Sequence, residues 1–257
     1  MPPLEPREQI RQAIASAEGA ALVAFLTAGY PDPKRFLADL RTIAEVADAV
    51  EIGVPFSDPM ADGVTIQRSS RAAIEHGVNL RWIFAELARR DFELGAPVLL
   101  MSYLNPLLAF GYEALAQRAA ETGVAGFIVP DLPYEESAPL KAALDAEGLA
   151  LVQLVTPATP RSRMRDLTAA SSGFVYAVTR TGITGSGSLP AELADYLAAV
   201  KAAADLPVCA GFGVRERAQV ELIGRHADGV IVGSALVEVL ERGEDPAAFL
   251  RSLKAAG

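Results

Sequence analysis

The chain has 257 residues, is 51% hydrophobic and carries a formal net charge of −9, with 21 Gly and 17 Pro spread along it instead of gathered in a linker. Its acidic balance, pI ≈ 4.9, and the lack of any Lys/Arg cluster interleaved with aromatics exclude nucleic acid and anionic membranes as partners on electrostatic grounds. The single Cys209 excludes an internal disulfide framework, and its setting in Pro207-Val208-Cys209-Ala210 reads as a small core hydrophobe.

Amphipathic spacing predicts a helix over Arg7 to Ala17, ahead of the first apolar run. Short β-type runs then recur at Ala20 to Thr27, Ala49 to Val54, Pro97 to Ser102, Gly126 to Val129, Leu149 to Val155, Phe174 to Thr179, Pro207 to Gly211 and Gly229 to Val232. Between them lie stretches of helical spacing: Phe36 to Ala47, Tyr112 to Thr122, Glu135 to Glu147, Pro190 to Ala204 and Arg215 to His226. The interval after the second strand is about twice the others and is expected to hold a loop and extra helix, Ile66 to His76 and Leu80 to Leu94. Strict alternation implies parallel strands with helical crossovers. Eight such repeats at this length fit a single (β/α)8 TIM barrel spanning residues 1–257, its bottom capped by the first helix. The N-terminus has no basic region followed by an apolar core, and no apolar run reaches the about 18 residues that span a bilayer, so a cytoplasmic protein is expected.

In this fold the site lies at the C-terminal ends of the strands. Glu51 sits inside the apolar run Ala49 to Pro55, and with Val50 and Ile52 facing the helices it faces the barrel interior. A buried, unpaired carboxylate costs several kcal/mol, roughly, which points to acid/base use. The alternative is an internal ion pair, but no Lys or Arg lies within the other strand runs. The next loop adds Asp58 and Asp62, which taken alone read equally as turn residues, being followed by Pro and Gly. Three glycine motifs end the last strands: Thr181 to Ser188, Gly211-Phe212-Gly213 and Gly233-Ser234. Their backbone N–H groups, with a helix N-terminus behind Ser234, form a phosphate cradle that needs no Lys. The first stretch also reads as a lid. His76 and His226 lack partners at metal-ligand spacing, so no metal is expected, and Trp82 with Phe84 and Leu87 reads as packing.

These segments carry a resemblance. Val50-Glu51-Ile52-Gly53-Val54-Pro55-Phe56-Ser57-Asp58-Pro59-Met60-Ala61-Asp62-Gly63, followed by Ile66-Gln67, looks like the signature of the tryptophan synthase alpha chain family. Phe25-Leu26-Thr27-Ala28-Gly29-Tyr30-Pro31, Met101 to Pro106, Val129 to Pro133, Gly173 to Tyr176, Gly211 to Val214 and Asp228 to Ala235 extend it over nearly the whole chain. The resemblance implies a retro-aldol cleavage of indole-3-glycerol phosphate to indole and glyceraldehyde 3-phosphate, without a cofactor. It implies Glu51 as the acid/base at the indole ring carbon and glycerol hydroxyl, and Asp62 at the indole nitrogen. Phe25, Tyr103 and Tyr176 would surround the indole and glycerol portion, Gly185, Gly213, Gly233 and Ser234 the phosphate, and Thr184 would reach Asp62 from the lid. It further implies an alpha2beta2 assembly with a beta subunit that receives indole and carries the pyridoxal phosphate. A stand-alone lyase and a non-catalytic activating subunit are the other readings; Glu51 and Asp62 together speak against the second. Two positions depart from the family pattern: Val64 stands where Pro is usual, and Ala158 where Thr is usual.

Overall fold

The computed structural model describes residues 4–179, 189–211 and 213–254. Eight strands, β1 (Ala21–Thr27), β2 (Ala49–Gly53), β3 (Val98–Met101), β4 (Val124–Ile128), β5 (Ala150–Val155), β6 (Val175–Val178), β7 (Val208–Gly211) and β8 (Gly229–Val232), pair in parallel and in sequence order into a closed barrel. Around them run α1 (Pro6–Ala15), α2 (Phe36–Ala44), α3 (Val64–Glu75), α4 (Leu80–Ala88), α5 (Leu104–Phe110), α6 (Tyr112–Glu121), α7 (Ala138–Ala146), α8 (Arg161–Ala170), α9 (Ala191–Ala203), α10 (Arg217–Gly224), α11 (Ser234–Glu241) and α12 (Pro246–Leu253). Among the described residues no helix is long and apolar enough to cross a membrane.

The strands are apolar on both faces because both faces are covered. Leu22, Ala24, Leu26, Val50 and Ile52 pack outward into a layer shared with the helices, while Ala21, Val23, Ala49, Leu99, Val152, Phe174 and Cys209 pack inward with Ile231. Ile10 and Ile14 of α1 belong to that inner cluster and are fully buried, so α1 seals the barrel at the strand N-termini as expected. Cys209 is an interior hydrophobe, and Trp82 packs on Phe36 with ring centroids 5.4 Å apart.

Several boundaries differ from the sequence reading, for local reasons. β4 starts at Val124, two residues early, where a register shift against Val98 and Leu99 absorbs the extra length between Gly123 and Gly126. α4 stops at Ala88 instead of Leu94: Arg90 Nη1 donates to the carbonyls of Leu87 and Thr122, both at 2.7 Å, satisfying an orphan helix-end acceptor. Residues 134–136 form a separate 3-10 turn, and α7 begins only at Ala138, with Pro139 in its first turn. The short α5, the charged α8 and the terminal α12 were not anticipated.

Because Ile10 closes the bottom of the barrel with no exposed surface, Ile10→Ala should cost about 2–5 kcal/mol. A urea unfolding midpoint close to that of the parent would show that α1 is not part of the cooperative core.

Candidate active site

Register and side-chain parity bring the site together. Glu51 of β2 pairs with Phe25 of β1 and Leu99 of β3, and its inward direction places it in the upper part of the barrel. The next inward position on β2 is Gly53, where an added Cβ would meet the Phe25 Cζ at 2.4 Å; a side chain there would displace the ring. A cavity of ≈ 260 Å³ opens at the C-terminal ends of the strands. Its lining includes Phe25, Glu51, Asp62, Tyr176, Gly213, Gly233 and Ser234, residues drawn from five different strands or the segments after them. Tyr103 lines a small adjoining recess that shares Phe25, Asp62, Ile66 and Met101 with the main cavity. Thr184 and Gly185 lie outside the described residues, as does the rest of the 181–188 stretch. A larger hollow of ≈ 390 Å³ lies at the opposite end, beside Arg90, Pro97 and Gly123, and contains none of these groups, so size alone does not locate the site.

Glu51 is fully buried, and neither of its carboxyl oxygens has a hydrogen-bond donor among the described residues. No ion pair with a strand Lys or Arg is present among them. Loss of hydration therefore acts unopposed and pushes the Glu51 carboxyl up to about 8, so that it holds its proton at neutral pH. Burial, together with Glu51 and Asp62 nearby, drives the Tyr176 hydroxyl well above its ordinary range and keeps it neutral.

Asp62 is held differently. Tyr103 Oη donates to Asp62 Oδ2 at 3.1 Å while accepting the Ala61 N–H at 2.9 Å, and Phe56 stacks on the Tyr103 ring at 4.9 Å. Partial burial raises the Asp62 carboxyl, and the Tyr103 hydroxyl opposes that rise by stabilising the anion. Gln67 Nε2 donates to the Asp62 carbonyl at 2.8 Å, which fixes the junction into α3. α3 begins at Val64 even without the proline usual there, and Val64 is 78% exposed. Thr159 Oγ1 accepts the Thr156 N–H at 3.0 Å, so the turn around Ala158 also closes. Asp58, in contrast, is exposed and accepts from the hydroxyl of its neighbour Ser57, an ordinary turn arrangement.

Opposite the carboxylates, Gly213 has φ +63° with nothing within 4 Å of its missing Cβ, a left-handed conformation that favours glycine. Gly233 caps α11 and Ser234 opens it, with no side-chain cap among the described residues, so the helix N–H groups and the positive end of the helix dipole lie at the cavity. Sequence reasoning missed Ile66, Met101, Val178, Thr179 and Ile231, which also line the cavity. The only signal for Met101, Val178 and Ile231 is inward parity at strand ends, that for Ile66 is its place in α3, and Thr179, just after β6, has neither. Among the described residues no group of three His, Cys, Asp or Glu side chains could hold a metal ion.

At low pH the folded and unfolded chains both carry the Glu51 proton. As pH rises from 4.5, the unfolded carboxyl releases its proton while the folded one keeps it to about 8, so stability falls across that window. The slope attributable to this group approaches about 1.4 kcal/mol per pH unit. Glu51→Gln should flatten it, making the variant more stable than the parent above pH 8. Denaturant unfolding at pH 5 and 8.5 checks this; equal pH dependence in the two proteins would count against a buried, unpaired carboxyl.

A profile of the family described as tryptophan synthase alpha chain matches residues 12–256. A tryptophan synthase alpha chain of Nitratidesulfovibrio vulgaris is 46% identical over 246 residues, covering 95% of each chain, and that of Desulfovibrio desulfuricans is 47% identical over 251 residues, covering 96% of this chain and 98% of its own. Among solved structures, tryptophan synthase from M. tuberculosis superposes with TM-score 0.86 at 35% identity over 97% of both chains. Tryptophan synthase subunit alpha from Legionella pneumophila gives 0.85 at 32% identity, over 98% of this chain and 97% of that one. Profile, sequence relatives and barrel agree over nearly the full length, and the chain belongs to the tryptophan synthase alpha chain family.

Proposed function

We propose that Glu51 and Asp62 divide the acid/base work of the reaction catalysed by this family of lyases, the cleavage of indole-3-glycerol phosphate to indole and glyceraldehyde 3-phosphate in tryptophan biosynthesis. The observation that carries this reading is a neutral carboxyl at Glu51, without a hydrogen-bond partner among the described residues, in a cavity that also contains Asp62 and a glycine-lined helix N-terminus. Protonated Glu51 delivers its proton to the ring carbon that bears the glycerol chain. Positive charge then develops on the ring, and the Asp62 anion, steadied by Tyr103, accepts the indole N–H and stabilises it. The Glu51 carboxylate next removes the proton of the neighbouring hydroxyl. The carbon–carbon bond breaks, its electron pair restores the aromatic ring, and the hydroxyl carbon becomes the aldehyde. Glu51 ends as it began, protonated, and no electron acceptor or metal is called for.

Phe25 and Tyr176 would flank the planar ring, and the N–H groups around Gly213, Gly233 and Ser234 would hold the phosphate. We assign Gly185 to the phosphate and Thr184 to a contact with Asp62 on the strength of the resemblance alone. The same ground supports one catalytic domain over residues 1–257, no cofactor in this subunit, a cytoplasmic location and an alpha2beta2 complex. In that complex the beta subunit carries pyridoxal phosphate and takes up the indole.

Mixing the protein with indole-3-glycerol phosphate, with and without a beta chain, and following indole tests the reading directly. Glu51→Gln keeps shape and loses proton transfer, so indole release should fall by at least about 100-fold while phosphate binding persists; substantial residual turnover would remove Glu51 from the mechanism. Asp62→Asn should lower kcat, and an unchanged rate would point to another partner for the ring nitrogen. Since Glu51 must start protonated, kcat/KM should decline above about pH 8, and an activity still rising past pH 9 would contradict its role as the acid.

A further inference from the structure

We infer that Glu238 is a positioning residue that joins the two halves of the site, locking the helix that follows Asp62 and the turn that carries Gly213 onto the helix that opens the phosphate cradle. The inference rests on the reading above. Glu238 lies one turn into α11, four residues after Ser234, and its side chain is 23% exposed. Its Oε1 accepts from Thr65 Oγ1 at 3.3 Å, and Thr65 is the second residue of α3, three residues beyond Asp62. Both oxygens also accept from Arg215, Nη1 to Oε2 at 2.7 Å and Nη2 to Oε1 at 2.9 Å, and Arg215 stands two residues after Gly213. A single carboxylate thus touches the segments following β2 and β7 from the helix following β8.

The geometry suits the task. A two-pronged Arg–carboxylate pair fixes orientation as well as distance, which a single-point contact does not. Arg215 holds the Glu238 carboxyl below its ordinary range, which favours the charged form that the two-pronged pair uses. One turn further on, Arg68 Nη2 of α3 donates to Glu241 Oε2 of α11 at 2.6 Å, repeating the tie with the same three-residue spacing on both helices. α3 is also held to β1 by the buried Thr27–Ser69 hydroxyl pair at 2.7 Å, so loss of Glu238 should loosen the site without releasing the helix. Effects of about threefold to tenfold are expected, since small misplacements of reacting groups already slow catalysis.

The test uses the full chain and four variants, with kcat for indole release and the Kd for inorganic phosphate by calorimetry as separate readouts and thermal melts as the folding control. Thr65→Val should lower kcat and leave the phosphate Kd within about twofold; Arg215→Leu should weaken phosphate and leave kcat within about twofold. Glu238→Gln retains an acceptor for Thr65 and loses the charge, so it should follow the Arg215 pattern, whereas Glu238→Ala should show both losses. If Glu238→Ala leaves both readouts at parent values and only lowers Tm, the residue is merely structural and the inference fails. Should Glu238→Ala not fold, Thr65→Val and Arg215→Leu decide: a split between kcat and Kd supports the link, and equal or absent losses overturn it. If the parent chain releases no indole, the proposed reaction fails. The phosphate Kd of Glu238→Gln and Arg215→Leu then still decides whether Glu238 orders the cradle.

Discussion

The arrangement depends on one carboxyl group kept out of water. Glu51 has no solvent exposure, and no donor reaches either oxygen among the described residues. In such a place the ionised form is penalised and the neutral acid is what remains at physiological pH. The surrounding features act on that condition: inward parity on β2 places the group, neighbouring strands exclude solvent from below, and the cavity opens above it at the strand C-termini.

The second carboxylate sits under a different rule. Asp62 lies on a loop, partly buried, with a phenolic hydroxyl donating to it and the chain behind it tied by Gln67. A hydrogen bond that favours the anion acts on Asp62, while burial with no donor among the described residues favours the acid at Glu51, so two chemically similar side chains eleven residues apart in sequence meet different surroundings. The proposed phosphate cradle would follow a third rule, using backbone N–H groups at a helix start in a protein whose net charge of −9 would otherwise repel an anion.

Much of this was legible in the residues. Eight apolar runs in strict alternation with helical spacing imply the closed parallel sheet, and the Glu51 register follows from a period of two. Local capping decides what periodicity misses: α4 ends where Arg90 satisfies the Leu87 carbonyl, and the start of β4 depends on a register shift between strands far apart in sequence. Asp58 and Asp62 look alike in sequence because both precede turn residues, and only the three-dimensional approach of Tyr103, 41 positions away, tells them apart. Met101 and Ile231 carried no chemical signal of their own, since an apolar strand end reads the same whether it lines a cavity or fills one.

The seal made by Ile10 and Ile14 has a consequence for traffic. With Ile10 and Ile14 packed into the barrel floor, a molecule entering among Phe25, Tyr176 and Gly233 meets a closed floor among the described residues. On the proposed reading, substrate and both products would share the doorway at the rim. On the same reading, a beta subunit that takes up indole would sit over that doorway, and while seated there it would also govern when the next substrate enters.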